Sequence, residues 1–219
     1  MDLVHHSGES SAGEYGHTLQ LIDVATGWSE RVMLLGHGYQ AMREAFEQVS
    51  KRVPFAIKEL HPDNGPEFFH WHLVRYWKEQ VTGVQLSRSR PSHKNDNRNV
   101  EQKNDTLVRQ YFGELRLETA EQIVAGNRLY ERMWLYYNLF QPVMHLSEKT
   151  VEGDKVRRKW DQAQTPYQRR LSTGVLSQEQ QERLNELYEQ TNPLQLREEI
   201  YIGLAALWDA ALAQSGTAA

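Results

Sequence analysis

The sequence predicts a mixed α/β sheet covered by helices. Three observations point there. Segments alternating with period two precede a long segment with helical spacing. Short apolar runs then recur between helical patterns. Turn residues also punctuate each boundary.

HTLQLIDVATGWSERVMLL reads as two strands around a turn at Ala25-Thr26-Gly27. GYQAMREAFEQVSKR follows as a helix, with Met42, Ala45, Phe46 and Val49 on one face. Pro54 ends it, and FAIKEL reads as a short buried strand. In HPDNGPEF, Asp-Asn-Gly is a turn signal and Pro66 suits the first turn of a helix running through FFHWHLVRYWKEQ. VQL is a further strand, and SRSRPSHKNDN is a polar, basic loop. NRNVEQKNDTLVRQYFGEL reads as a helix with Val100, Leu107, Val108 and Tyr111 largely on one side. TAEQIVAGNRLYERMWLYYNLF reads as another, capped by Thr119 with Gln122 three residues on.

Pro142 marks the end of this body, so residues 1–145 are expected to form a core domain. Residues 146–219 are expected to form a basic linker (146–170) and two helices (177–190 and 194–214). Leu196, Ile200, Leu204, Leu207 and Trp208 give the last helix an apolar stripe, which implies packing, internal or with a partner.

Bulk numbers narrow the class. The chain has 219 residues, 39% hydrophobic and 25% charged, an ordinary globular balance. No apolar run approaches the roughly 20 residues that span a bilayer, so no membrane partner is expected. The start lacks the basic-then-apolar order of a signal peptide. Without cysteine, disulfides and thiolate metal sites are excluded. A cytoplasmic location fits best.

The net charge of -4 argues mildly against nucleic acid, but its distribution matters more. Arg88–Arg116 holds seven bases and four acids, Lys155–Arg170 six and one. Gln178–Glu199 reverses the balance, with six acids and two bases.

Three carboxylates stand out by position. Asp2 opens the probable strand DLVHH, Asp63 follows FAIKEL, and Glu101 lies in the first turns of a helix. Acids on a strand, a neighbouring strand end and a covering helix can converge. Such an oxygen-rich cluster suits Mg²⁺ or Mn²⁺. Two such ions about 4 Å apart can clamp both oxygens of an in-line phosphoryl displacement. Each acid also has a plainer role available: a terminal residue, a turn former, a first-turn acid. Asp23, beside the hairpin turn, reads as structural, and Asp96 and Asp105 as surface acids. His5 and His6 alternate across a strand, so at most one can face the acids.

DLVHHSG, HTLQLIDVATGWSE, HPDNGPEF and NRNVEQKN resemble the integrase catalytic core family, the DDE transposases of bacterial insertion elements. The resemblance covers roughly residues 2–140 and extends more loosely through VRRKWDQAQTPYQRRL. DNGPEF and VEQKN are its most specific blocks. It implies a ribonuclease H-like sheet flanked by helices, with Asp2, Asp63 and Glu101 as catalytic metal ligands. It also implies cleavage and strand transfer on DNA, both transposon ends and target duplex, by a homo-oligomer at the nucleoid. The spacing of 37 residues between Asp63 and Glu101 is slightly longer than in retroviral integrases.

The family's first acid lies inside a central strand, whereas only Met1 precedes Asp2. The strand is therefore expected to lack its first half, as in an N-terminally truncated product, with Asp2 less firmly placed. Two alternatives follow: an inactive remnant that binds DNA or oligomerises, and a ribonuclease H-like nuclease acting on hybrids or junctions. Lys94, Asn97, Arg98, Lys103 and Asn104 surround Glu101 and are expected to reach DNA. Arg157, Arg158 and Lys159 are expected to grip its backbone. Solvated charge is the alternative for both groups of bases.

Overall fold

The computed structural model describes residues 1–63, 65, 67–69, 71–80, 83–87, 98–153 and 155–215. Three strands, β1 (Asp2–His6), β2 (Gly16–Ile22) and β3 (Ser29–Leu35), form an antiparallel sheet in that order. The turn between β2 and β3 is built by Asp23, whose carboxylate accepts from the Thr26 backbone N–H at 3.1 Å and its hydroxyl at 2.5 Å. Gly27 adopts φ +79°, open to glycine but strained for other residues. A Cβ there would also sit 3.2 Å from Val143.

Helix α1 (Tyr39–Arg52) covers one face of the sheet. Met42, Ala45, Phe46 and Val49 pack on Leu3, Leu19, Leu21, Val32 and Leu34. Two further strands are shorter than FAIKEL and VQL suggest: β4 (Glu59–Leu60) and β5 (Gln85–Leu86), paired in parallel. The Met1 nitrogen donates to the His61 carbonyl at 2.8 Å, which sets the start of β1 against the end of β4. Helix α2 (Trp71–Gln80) adds Leu73 and Trp77 to this core. The expected role of Pro66 lies outside the described residues.

The second face is covered by the expected long helices. Helix α3 (Arg98–Asn104) passes through a π turn (Asp105–Arg109) into α4 (Gln110–Phe112). Helix α5 (Ala120–Leu135) carries the predicted Thr119–Gln122 capping box and also runs into a π turn, Tyr136–Phe140. The layers are helix, sheet, helix, the ribonuclease H-like arrangement expected from the sequence.

The segment expected as a linker carries regular structure. Strands β6 (Leu146–Glu152) and β7 (Lys155–Trp160) form a hairpin, and α6 (Pro166–Ser172) follows it. Alternating Thr150, Val151, Val156 and the β-favouring Trp160 suit strands, a signal masked in the sequence by the density of charge. The two C-terminal helices are α7 (Gln178–Gln190) and α8 (Pro193–Ser215). The α8 stripe packs internally: Leu196, Ile200, Leu207 and Ala211 join Val108, Phe112, Leu129 and Met133 in one core.

Candidate active site

Strand pairing sets Asp2 opposite Gln20, and Gln20 opposite Arg31. Directly opposed residues share a face, so the three form a polar row across the sheet, on the side covered by α3 and α5. Asp2 is half-buried. Its Oδ2 accepts from Asn104 Nδ2 at 2.5 Å, and its Oδ1 from the Leu3 backbone N–H at 2.9 Å. Burial raises the Asp2 carboxyl above its ordinary value. The Leu3 N–H pulls it down, and the nearby Asp63 charge pushes it up again.

Asp63 follows β4, and its Oδ1 accepts from the Gly65 N–H at 3.0 Å, as a turn-forming aspartate does. Asp2 and Asp63 are thus near enough for one charge to act on the other, though they come from separate sheets. Glu101 lies on α3, one turn before Asn104, and is exposed. Among the described residues, no three His, Asp or Glu side chains are placed to hold a metal ion. Glu101 stands one helical turn from Asn104, the residue that touches Asp2.

The same row contains polar atoms without partners. Arg31 is 1% exposed, and among the described residues none of its three guanidinium nitrogens has a hydrogen-bond acceptor. It lies between the rings of Tyr130 and Tyr137, 5.7 and 5.5 Å from their centroids. Burial lowers it to about 10. Gln20 Oε1 and Asn104 Oδ1 are likewise buried without a donor. Lys103 is pulled down to about 8 by burial and by the charge of Arg31.

Other expected residues fall as follows. Asn104, expected at the DNA surface, is buried and serves Asp2. Lys94 and Asn97 lie outside the described residues, and Arg98 opens α3. Arg157, Arg158 and Lys159 are exposed on β7. Asp23 is structural, as read: beyond its turn, it takes a 2.6 Å ion pair from Arg170. His6 is on the Asp2 face but is buried against Thr18 at 2.8 Å, and Thr18 in turn meets Tyr130 at 2.6 Å. His5 points to the other face, beside His17.

The sequence reading missed three structural devices. Glu30 is 2% exposed and gathers Trp28, Trp134 and Arg52 at 2.9, 2.7 and 2.6 Å. Asn127 exchanges two hydrogen bonds with the Met33 backbone, at 2.8 and 2.7 Å. Asn138 does the same with Ser29 at 2.9 and 3.0 Å. These amides replace a neighbouring strand along the edge of β3, where backbone groups would otherwise lie unpaired. The glutamate in TGWSE was a visible signal; the two asparagines gave none.

No family model matches the chain. It is 38% identical over 169 residues to the uncharacterized protein y4rM of Sinorhizobium fredii, covering 77% of this chain and 48% of that protein. The chain therefore spans about half the length of the curated relative it matches. Among solved structures, the catalytic core domain of BIV integrase superposes with a TM-score of 0.47 at 16% identity, covering 78% of this chain and 93% of that one. No helix among the described residues is long and apolar enough to cross a membrane.

Proposed function

We propose that this chain is the catalytic core of a divalent-metal-dependent DNA transposase or integrase, with Asp2, Asp63 and Glu101 holding Mg²⁺ or Mn²⁺. One observation carries the reading. Burial raises the Asp2 carboxyl above its ordinary value, and the charge of Asp63, distant in sequence, adds to that rise. A carboxylate disfavoured in this way is relieved by a bound cation, and perturbed acids cluster at functional sites. When bound, a pair of divalent ions supplies activation of the attacking oxygen and stabilisation of the departing one.

The chain's own residues do the positioning. Asn104 and the Leu3 N–H hold the two Asp2 oxygens at fixed angles. The Gly65 N–H holds Asp63. Glu101, exposed on α3, would supply the third carboxylate. Lys94, Asn97, Arg98 and Lys103 would contact phosphates near the scissile bond. The enzyme would act on duplex DNA, as a homo-oligomer, at the nucleoid.

A second reading is a DNA-binding remnant without chemistry. The exposure of Glu101 and the lack of a three-donor group among the described residues favour it. Mg²⁺- or Mn²⁺-dependent nicking of duplex DNA, with calorimetric metal titration, separates the two. Asp63→Asn and Glu101→Gln are each expected to lower nicking at least about a hundredfold, or about 2.7 kcal/mol in barrier. Unchanged nicking in either variant removes that residue from the site. A folded protein that takes up no metal leaves the remnant standing.

A further inference from the structure

The hairpin of β6 and β7 contributes to none of the three cores, and its described residues from Ser147 to Trp160 are all exposed. Its two faces differ. On one, Glu148 lies opposite Lys159 and Glu152 opposite Lys155, with Thr150 opposite Arg157. Cross-strand pairs of opposite charge stabilise a ribbon, and this face sets two acids among its three bases.

The other face sets Lys149 directly opposite Arg158. Val151 faces Val156 beyond them, and Leu146 faces Trp160 behind. This face carries no acid among its described residues. Like charges directly opposed destabilise a strand pair. Exposure of 51% for Trp160, 63% for Val151 and 45% for Val156 adds an apolar surface around the cations. A lone two-stranded ribbon is marginal in water. This one is fixed at its root, where Arg169 grips Asp161 with two nitrogens at 2.6 and 3.0 Å. Asp161 also accepts from the His145 N–H at 2.7 Å.

We propose that the Lys149/Arg158 face of this ribbon is a contact surface for duplex DNA, with both cations on backbone phosphates and Trp160 against the sugar edge. The inference rests on the DNA reading above. Charge complementarity selects a polyanion, since this face sets base against base with no acid among its described residues. A two-stranded ribbon also fits a major groove about 12 Å wide. Arg157 and Lys159, on the face that also carries Glu148 and Glu152, are assigned no such contact.

The test is fluorescence anisotropy with a labelled 30-base-pair duplex (on the order of three helical turns at 10–10.5 base pairs each) across a salt series. Lys149→Gln/Arg158→Gln is compared with Lys155→Gln/Lys159→Gln, which removes the same charge from the other face. The first pair is expected to weaken binding at least about tenfold and to flatten the salt slope by about 1.8, for two phosphates at about 0.9 each. The second pair is expected to stay within about twofold of the parent. Equal losses in both pairs, no loss in either, or no duplex binding by the parent overturns the proposal. So does a change in sedimentation with unchanged DNA affinity, which would assign the face to a second copy of the chain. Circular dichroism and thermal melts verify that each variant folds. Loss of nicking in Asp63→Asn with intact binding leaves both proposals standing. Intact binding without any metal-dependent nicking by the parent sinks only the catalytic one.

Discussion

The two faces of the three-stranded sheet are made from alternating residues of the same strands, yet they are built on opposite terms. Leu3, Leu19 and Val32 cross one face as an apolar row packed against α1. One residue away, Asp2, Gln20 and Arg31 cross the other as a polar row. The first row is close-packed and makes no polar demands. The second holds a carboxylate raised by burial, an amide oxygen without a donor and a guanidinium without an acceptor. Buried polar groups are normally paired, so the second row costs stability that the first must offset. The contrast assigns the fold to one face and the candidate chemistry to the other.

The largest effect is expected on the apolar row. Leu19 is fully buried, and Leu19→Ala should cost about 3 kcal/mol through lost burial and the cavity left behind. For a chain of this size that is a fall of roughly 6–12 °C in Tm. A loss under about 1 kcal/mol would mean that this face does not carry the fold.

Arg31→Met sharpens the other side. Replacing a buried, unpaired charge by an apolar side chain of similar length is expected to be neutral or to stabilise by about 1 kcal/mol. Chemical denaturation measures it. Destabilisation beyond about 1 kcal/mol would show that the guanidinium has a partner in solution, and the polar row would then be satisfied rather than strained.

A smaller effect should appear with pH at the far end of the apolar face. His17 is 1% exposed. It packs against Tyr15, His5 and His37, each ring centroid 4.7 Å away. Burial first, then the neighbouring His5 and His37, lower it from 6.5 to about 4. The unfolded chain therefore binds the extra proton first, and stability present above about 6.5 is lost as pH falls toward 4. Thermal melts over that window should show a decline that His17→Phe flattens. An equal decline in the variant would transfer the effect to other groups, His6 among them.

Much of this was legible in the sequence because it is local. The period-two runs gave β2 and β3, Thr119 with Gln122 announced the α5 capping box, and Ala25-Thr26-Gly27 marked the turn. FAIKEL was over-read as a strand: only Glu59–Leu60 pairs, because β5 offers it just two residues. The hairpin was missed because strand pairing across a charged segment depends on register, which composition does not carry. Asn104 was expected beside Glu101 and reaching DNA, but it is buried while Glu101 is exposed, and its partner, Asp2, lies on another element and could not be read from spacing.

The sequence by itself determined the alternation of the strands, the helical stripes and the turns, since each depends on residues a few positions apart. Only the tertiary structure decided that Asp2 meets Asn104 and feels Asp63, that Arg31 is buried with no acceptor among the described residues, and that the ribbon sets acids against bases on one face and base against base on the other. Those facts depend on which strands pair and in what register. Register is set by the packing of the whole sheet between its helices, and not by any segment alone.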